Sequence, residues 1–114
     1  MFVPASDCPV REVDRGITRQ ILAHDPHLMM VRVSFATGAV GYVHTHPHRQ
    51  ITYVASGRFD VSIGDARRVM VAGDSFYAMP DMPHGVTALE DSVLIDIFSP
   101  TREDFLAQAA GGPR

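Results

Sequence analysis

His44, His46, His48 and Gln50 stand within seven residues of one another in the stretch GAVGYVHTHPHRQITYVASG, Gly38 to Gly57. Imidazole nitrogens and a side-chain amide oxygen are donors that hold first-row divalent metals. Read as a strand, Val40 to His46 alternates, so His44 and His46 point to one face about 7 Å apart. Pro47-His48-Arg49 reads as a turn, because proline cannot donate to a ladder, and Gln50 then opens the returning strand QITYVAS. The expectation is a metal site on a β-hairpin. A second stretch, GDSFYAMPDMPHGV from Gly73, delivers His84 from a loop stiffened by Pro80 and Pro83. His44, His46, Gln50 and His84 make an N3O set for one divalent transition metal (Ni, Zn, Co, Mn or Fe), with positions left for water or substrate. Four neutral ligands leave the full +2 charge on the ion, which favours Lewis-acid chemistry over stabilising a ferric state.

A second group of residues has chemistry without being a ligand set. Asp96 lies in the apolar run VLIDIF, where a carboxylate must be paired or protonated. It is read either as a structural acid bonded to backbone in the interior or as a tuned acid or base facing the cavity. Phe98 has the same parity as Asp96 and shares its face. Arg102, four residues on, is read either as a solvated charge beside Glu103 or Asp104, or as a fork for a substrate carboxylate. His48 has no place in the ligand set and is expected at the rim. His24 and His27 flank a turn and are expected on the surface.

The elements that position these residues are short strands. Gly16 leads into ITRQILA, which Asp25-Pro26 ends. Met29, Val31, Val33 and Phe35 alternate with Met30, Arg32 and Ser34. Phe59, Val61 and Ile63 alternate with Asp60 and Ser62, and Gly64-Asp65 signals a hairpin into Arg67–Val71. Strands from Ser75, His84 and Val93 follow. About nine strands with turns every eight to twelve residues predict an all-β sandwich or barrel. Ser99-Pro100 reads as an N-cap followed by a first helical position, opening a short C-terminal helix over 102–110 that Gly111-Gly112 stop. Residues 1–15 read as an irregular N-terminal arm and 16–114 as one domain.

The chain has 114 residues, 46% of them hydrophobic and 20% charged, which suits one domain with a buried core. The net charge is −3 and arginine is the only basic type, with no basic stripe; nucleic acid is excluded as the main partner. No window approaches the ~20 apolar residues of a membrane span, and no secretory signal opens the chain. The single cysteine, Cys8, has no intrachain partner, which suits the cytoplasm.

The two stretches resemble the paired motifs of the cupin superfamily. Gly38, His44, His46, Gln50 and Gly57 fall at the spacings of the first motif, with glutamine where that motif has glutamate. Gly73, Pro80 and His84 follow the second, with one residue more before the proline and one fewer after it. GITRQIL, HTHPHRQITYVASG, MPHGV and LEDSVLIDIFSPTREDF further resemble the small KdgF-type cupins of pectin and alginate breakdown. The resemblance implies a single-domain, jelly-roll cupin β-barrel holding one divalent metal through His44, His46, Gln50 and His84. It also implies catalysis by Asp96 and Arg102, with Phe98 and Arg102 binding the substrate. The implied reaction opens 4,5-unsaturated monouronates to linear 5-keto-4-deoxyuronates. Only three residues separate His46 from Gln50 and the proline loop is short, so the pocket can differ from that of the family. A non-catalytic sugar-acid-binding cupin, or a cupin isomerase or oxygenase of another small molecule, is the competing reading. The expected assembly is a homodimer, along whose second subunit the N-terminal arm can lie.

Overall fold

Strand β10, Ser92–Ser99, is flanked on both sides and carries the inward row Leu94, Asp96 and Phe98. The computed structural model describes residues 1–111; Gly112, half of the expected helix stop, lies outside them. In chain order the other strands are β1 (Val10–Asp14), β2 (Ile17–His24), β3 (Met29–Phe35), β4 (Val40–His44), β5 (Arg49–Ser56), β6 (Arg58–Ile63), β7 (Ala66–Val71), β8 (Ser75–Ala78) and β9 (His84–Ala88). Helix α1 covers Glu103–Ala109. One sheet runs β1-β2-β3-β10-β5-β8 and the other β4-β9-β6-β7, with every ladder antiparallel. The chain is thus all-β with one short C-terminal helix. Its ladders form two open sheets, and none among the described residues closes them into a barrel.

Alternation places the strands as expected. Met29, Val31, Val33 and Phe35 of β3 are all buried and meet Val54, Phe59, Val61 and Leu94 in the core. Phe35 and Phe59 pack edge to face at 5.1 Å, an arrangement aromatic pairs prefer. The inward rows change character along the strands. On β5 they run Val54, Thr52, Gln50 and on β10 Leu94, Asp96, Phe98. One end of the molecule is therefore a dry apolar core, and the other end holds buried polar groups.

Three expectations are corrected. The metal-binding segment is not a hairpin: β4 pairs with β9, while β5 pairs with β10 and β8 in the other sheet. Residues 45–48 cross between sheets, because each flank finds its ladder partner far along the chain. The arm is not irregular throughout, since β1 pairs with β2 after a single 3-10 turn at Ala5–Asp7. Its five residues, VREVD, are too few and too polar to display a period. Ser99 is not a helix cap: it ends β10 opposite Arg49, and the helix starts three residues after Pro100 with Arg102 at its N-cap position. Gly64-Asp65 does make the two-residue hairpin between β6 and β7, with Gly64 at φ 54°.

Candidate metal centre

β4 and β9 bring His44 directly opposite His84 in the ladder. Their approach is close because residue 85 is glycine: a Cβ there would lie 3.0 Å from the Gly41 carbonyl oxygen and from the Val43 nitrogen. His46 enters from the crossing at 45–48, whose main chain is tied to the proline loop by Asp81 N donating to the His46 carbonyl at 2.9 Å. Gln50 enters from β5 in the opposite sheet. The ligand nitrogens of His44, His46 and His84 lie within 4.8 Å of one another.

Each imidazole is held by its far nitrogen. His44 Nδ1 meets the Tyr42 carbonyl at 2.8 Å, His46 Nδ1 the His48 carbonyl at 3.1 Å, and His84 Nδ1 the Met82 carbonyl at 2.8 Å. A carbonyl only accepts, so each Nδ1 carries the proton and each Nε2 is left as a lone pair. Burial holds the pKa of His46 and of His84 below the ordinary imidazole value, so neither takes a second proton at neutral pH. The Gln50 amide donates to Thr52 Oγ1 at 2.9 Å and to Asp96 Oδ1 at 3.3 Å, which turns its oxygen the other way. Three acceptors then converge with no donor among them. His46 Nε2 and Gln50 Oε1 are 2.9 Å apart, His84 Nε2 and Gln50 Oε1 3.1 Å, and the two Nε2 atoms 3.2 Å.

Three lone pairs aimed at one another repel unless a cation stands between them. Two ligands at right angles on metal bonds of about 2.0–2.1 Å are separated by about 2.9 Å. The observed triangle has that size, so the residues fit a metal. His44, exposed at the edge, adds a third imidazole. Carbonyls that orient the far nitrogens are the usual support of histidine ligands.

Behind this triangle lies Asp96, directly opposite Thr52 in the ladder. Thr52 donates its hydroxyl to Asp96 Oδ1 at 2.6 Å. The acid is thus bonded to side chains, not to backbone as the structural reading had it. Both donors reach Oδ1, and Oδ2 takes no hydrogen bond from the described residues. Burial raises the Asp96 pKa to about 6, while the Thr52 hydroxyl, the Arg102 charge and the Gln50 amide pull it the other way. Thr52 escaped the sequence reading, although its parity with Gln50 and Val54 put it on the inward face. His48 contributes its carbonyl to His46; its own Nδ1 is buried without a partner among the described residues. His24 and His27 are exposed, as expected.

Arg102 is not a solvated charge. Its side chain is 10% exposed, it forms a two-point ion pair with Asp104, and it lies over the rings of Phe98 and Phe105 at 5.0 and 4.0 Å. Phe98, 2% exposed, packs edge to face on His46 at 5.8 Å. A groove lined by Thr45, His46, His48 and Arg102 opens beside the centre.

Residues 31–98 match the family described as Cupin domain. The chain is 48% identical over 102 residues to the pectin degradation protein KdgF of Dickeya dadantii (strain 3937), covering 88% of this chain and 93% of that protein. The solved structure of KdgF from Halomonas sp. superimposes with a TM-score of 0.88 at 44% identity, covering 92% of this chain and 97% of that one. An RmlC-like cupin from Shewanella frigidimarina NCIMB 400 gives 0.88 at 40% identity, covering 91% and 94%.

The Asp96 environment predicts a pH dependence in metal-stripped protein. A carboxyl whose folded pKa lies above its unfolded value of 3.8 binds more protons folded than unfolded between the two. Stability therefore falls as pH rises through pH 4 to 6, by about 3 kcal/mol in total. His46 and His84 act oppositely, losing stability as pH falls below their unfolded value near 6.5. Urea denaturation of wild type and Asp96→Asn at pH 5 and pH 8 isolates the acid. Wild type should lose about 1.4 kcal/mol relative to the variant between the two pH values, and parallel behaviour would refute the raised pKa.

Proposed function

Because this chain belongs to the Cupin domain family and to its KdgF-like members, we propose that it is a metal-dependent enzyme of uronate breakdown. Its reaction is the opening of 4,5-unsaturated monouronates, the lyase products of pectin and alginate, to linear 5-keto-4-deoxyuronates. The observation that carries the reading is the donor-free triangle of His46 Nε2, His84 Nε2 and Gln50 Oε1 with a proton-carrying acid directly behind it.

His44, His46, His84 and Gln50 hold one divalent metal, which supplies a Lewis acid to a substrate oxygen when bound. Ring opening of such a hemiacetal is an isomerisation. The anomeric hydroxyl loses a proton, the bond from the anomeric carbon to the ring oxygen breaks, and the released enol gains a proton on carbon as it becomes a ketone. One acid that releases and takes a proton near neutrality serves both ends. Asp96, at about 6 and with Oδ2 without a donor among the described residues, has that character. Arg102 supplies the charge for the substrate carboxylate. Phe98 walls the site: its ring lies against His46 and Arg102 and is too buried to cover much of a sugar ring.

The working unit is a homodimer in the cytoplasm. The outward face of the larger sheet carries Met30, Ile51, Tyr53, Ile95, Ile97 and Tyr77 in neighbouring register positions, with Ile51 and Tyr53 nearly half exposed. An apolar face of this extent on a strand layer needs a cover, and a second copy provides a matching one.

Elemental analysis of purified protein should find about one first-row metal per chain. His46→Ala and His84→Ala should lower it, whereas His48→Ala should retain it, because only the His48 carbonyl supports the site. Loss of metal in His48→Ala alone would overturn the ligand set.

Steady-state kinetics on unsaturated galacturonate, followed by loss of its conjugated absorbance, test the reaction. Asp96→Asn should lower kcat by ~10²–10⁴-fold with little change in binding. Arg102→Ala should weaken binding by about 1.5–3 kcal/mol. A wild-type protein that binds the compound without turnover would be a binding module instead. Light scattering should give a dimer mass for wild type and a monomer mass for Tyr53→Arg; a wild-type monomer refutes the assembly.

A further inference from the structure

Arg102 offers two edges to carboxylates: the Nε–Nη2 side and the Nη1–Nη2 end. Asp104 takes the side edge with both oxygens, Nε donating to Oδ1 at 3.0 Å and Nη2 to Oδ2 at 2.8 Å. The two aromatic contacts do a different job. Phe98 and Phe105, perpendicular to each other and 5.0 and 4.0 Å from the guanidinium carbon, bound the space of the group but accept no conventional hydrogen bond that would fix the direction of its N–H groups. Phe105 is itself held by the Arg19 guanidinium, 3.6 Å from its centroid. The direction of those N–H groups is what a two-point ion pair fixes. The pair is also arranged by depth, with the arginine 10% exposed and the aspartate 51% exposed. The acid is at the rim of the groove, and Nη1 donates no hydrogen bond to the described residues.

We propose that Asp104 is a positioning residue that pins the Arg102 guanidinium by its side edge, so that Nη1 is presented in one fixed direction to the substrate carboxylate. The inference rests on the reading of Arg102 as the carboxylate anchor. Two consequences of an acid at this place oppose each other. Its charge repels an incoming carboxylate, and its two bonds hold the fork in a single orientation so that less freedom is lost when ligand binds. The second dominates here, because the ring contacts leave the direction of the fork as the freedom still to be removed. Asp104 acts on ligand binding and leaves the proton transfer at Asp96 untouched.

The test uses metal-loaded, full-length protein, with saturated galacturonate as a non-reacting probe in calorimetry and unsaturated galacturonate in kinetics. Asp104→Asn should raise the Kd and the KM together by about 5- to 30-fold, the scale of coupling within one hydrogen-bonded network, with kcat nearly unchanged. Asp104→Glu should recover part of the loss. In an Arg102→Ala background, Asp104→Asn should have no further effect. Tighter binding in Asp104→Asn would mean that the acid masks Arg102, and unchanged binding would mean that it does nothing for the ligand; either overturns the proposal. Equal losses from Asp104→Asn with and without Arg102 would overturn it too. If Arg102→Ala itself binds the probe like wild type, the failure belongs to the anchor reading and the proposal falls with it.

Discussion

The direction of one amide governs the candidate centre. Gln50 must aim its oxygen at His46 and His84, and the amide is turned that way because its nitrogen has two acceptors behind it, Thr52 Oγ1 and Asp96 Oδ1. Thr52 cannot exchange roles with the amide oxygen, because it spends its only proton on Asp96 at 2.6 Å. The arrangement is costly. A carboxyl held at about 6 by burial shows that its hydrogen bonds do not fully offset the loss of water. A residue retained at such cost in the floor of a site is a candidate for chemistry before it is one for stability.

Strand order follows from this requirement. Asp96 faces Thr52, and Phe98 faces Gln50, across the β10–β5 ladder. Slipping the register by one residue would turn the acid outward and Ile95 or Ile97 inward. His44 and His84 come from the other sheet and His46 from the crossing, so the two layers must be held at a fixed separation at the polar end, where Phe98 packs on His46. The dry end does that work through Phe35, Phe59, Val54 and Leu94, each contributing about 1.5–3 kcal/mol on burial. Local ties finish the placement: Gly85 lets β9 approach β4, and Asp81 ties the proline loop to the main chain of His46.

What the sequence made legible follows the range of each interaction. Alternation is local, so the two faces of β3 and β6 and the face shared by Asp96 and Phe98 on β10 could be read directly. The spacing of His44, His46, Gln50 and His84 carried the cluster. Ladder partners are not local, and the supposed hairpin failed for that reason: nothing in GYVHTHPHRQITY says that its halves pair with β9 and β10. Strand β1 was hidden by its brevity and charge. The burial of Arg102 was hidden too, because its cover comes from Phe98 on one side and the helix residue Phe105 on the other.

The glutamine at position 50, where the first cupin motif has glutamate, is explained by the same network. A glutamate has no N–H to offer, so its carboxylate would face Asp96 across a distance now spanned by a 3.3 Å hydrogen bond. Two carboxylates so close cannot both ionise, and one would keep a proton. The two positions therefore constrain each other: an ionisable acid at 96 requires a donor at 50. The amide satisfies this requirement and would leave a bound divalent ion its full charge. The negative charge that the general motif places on the metal stands here one residue behind it, on a group that can still gain and lose a proton. Moving the charge from the ligand to the residue behind it turns a metal-binding carboxylate into a candidate acid and base.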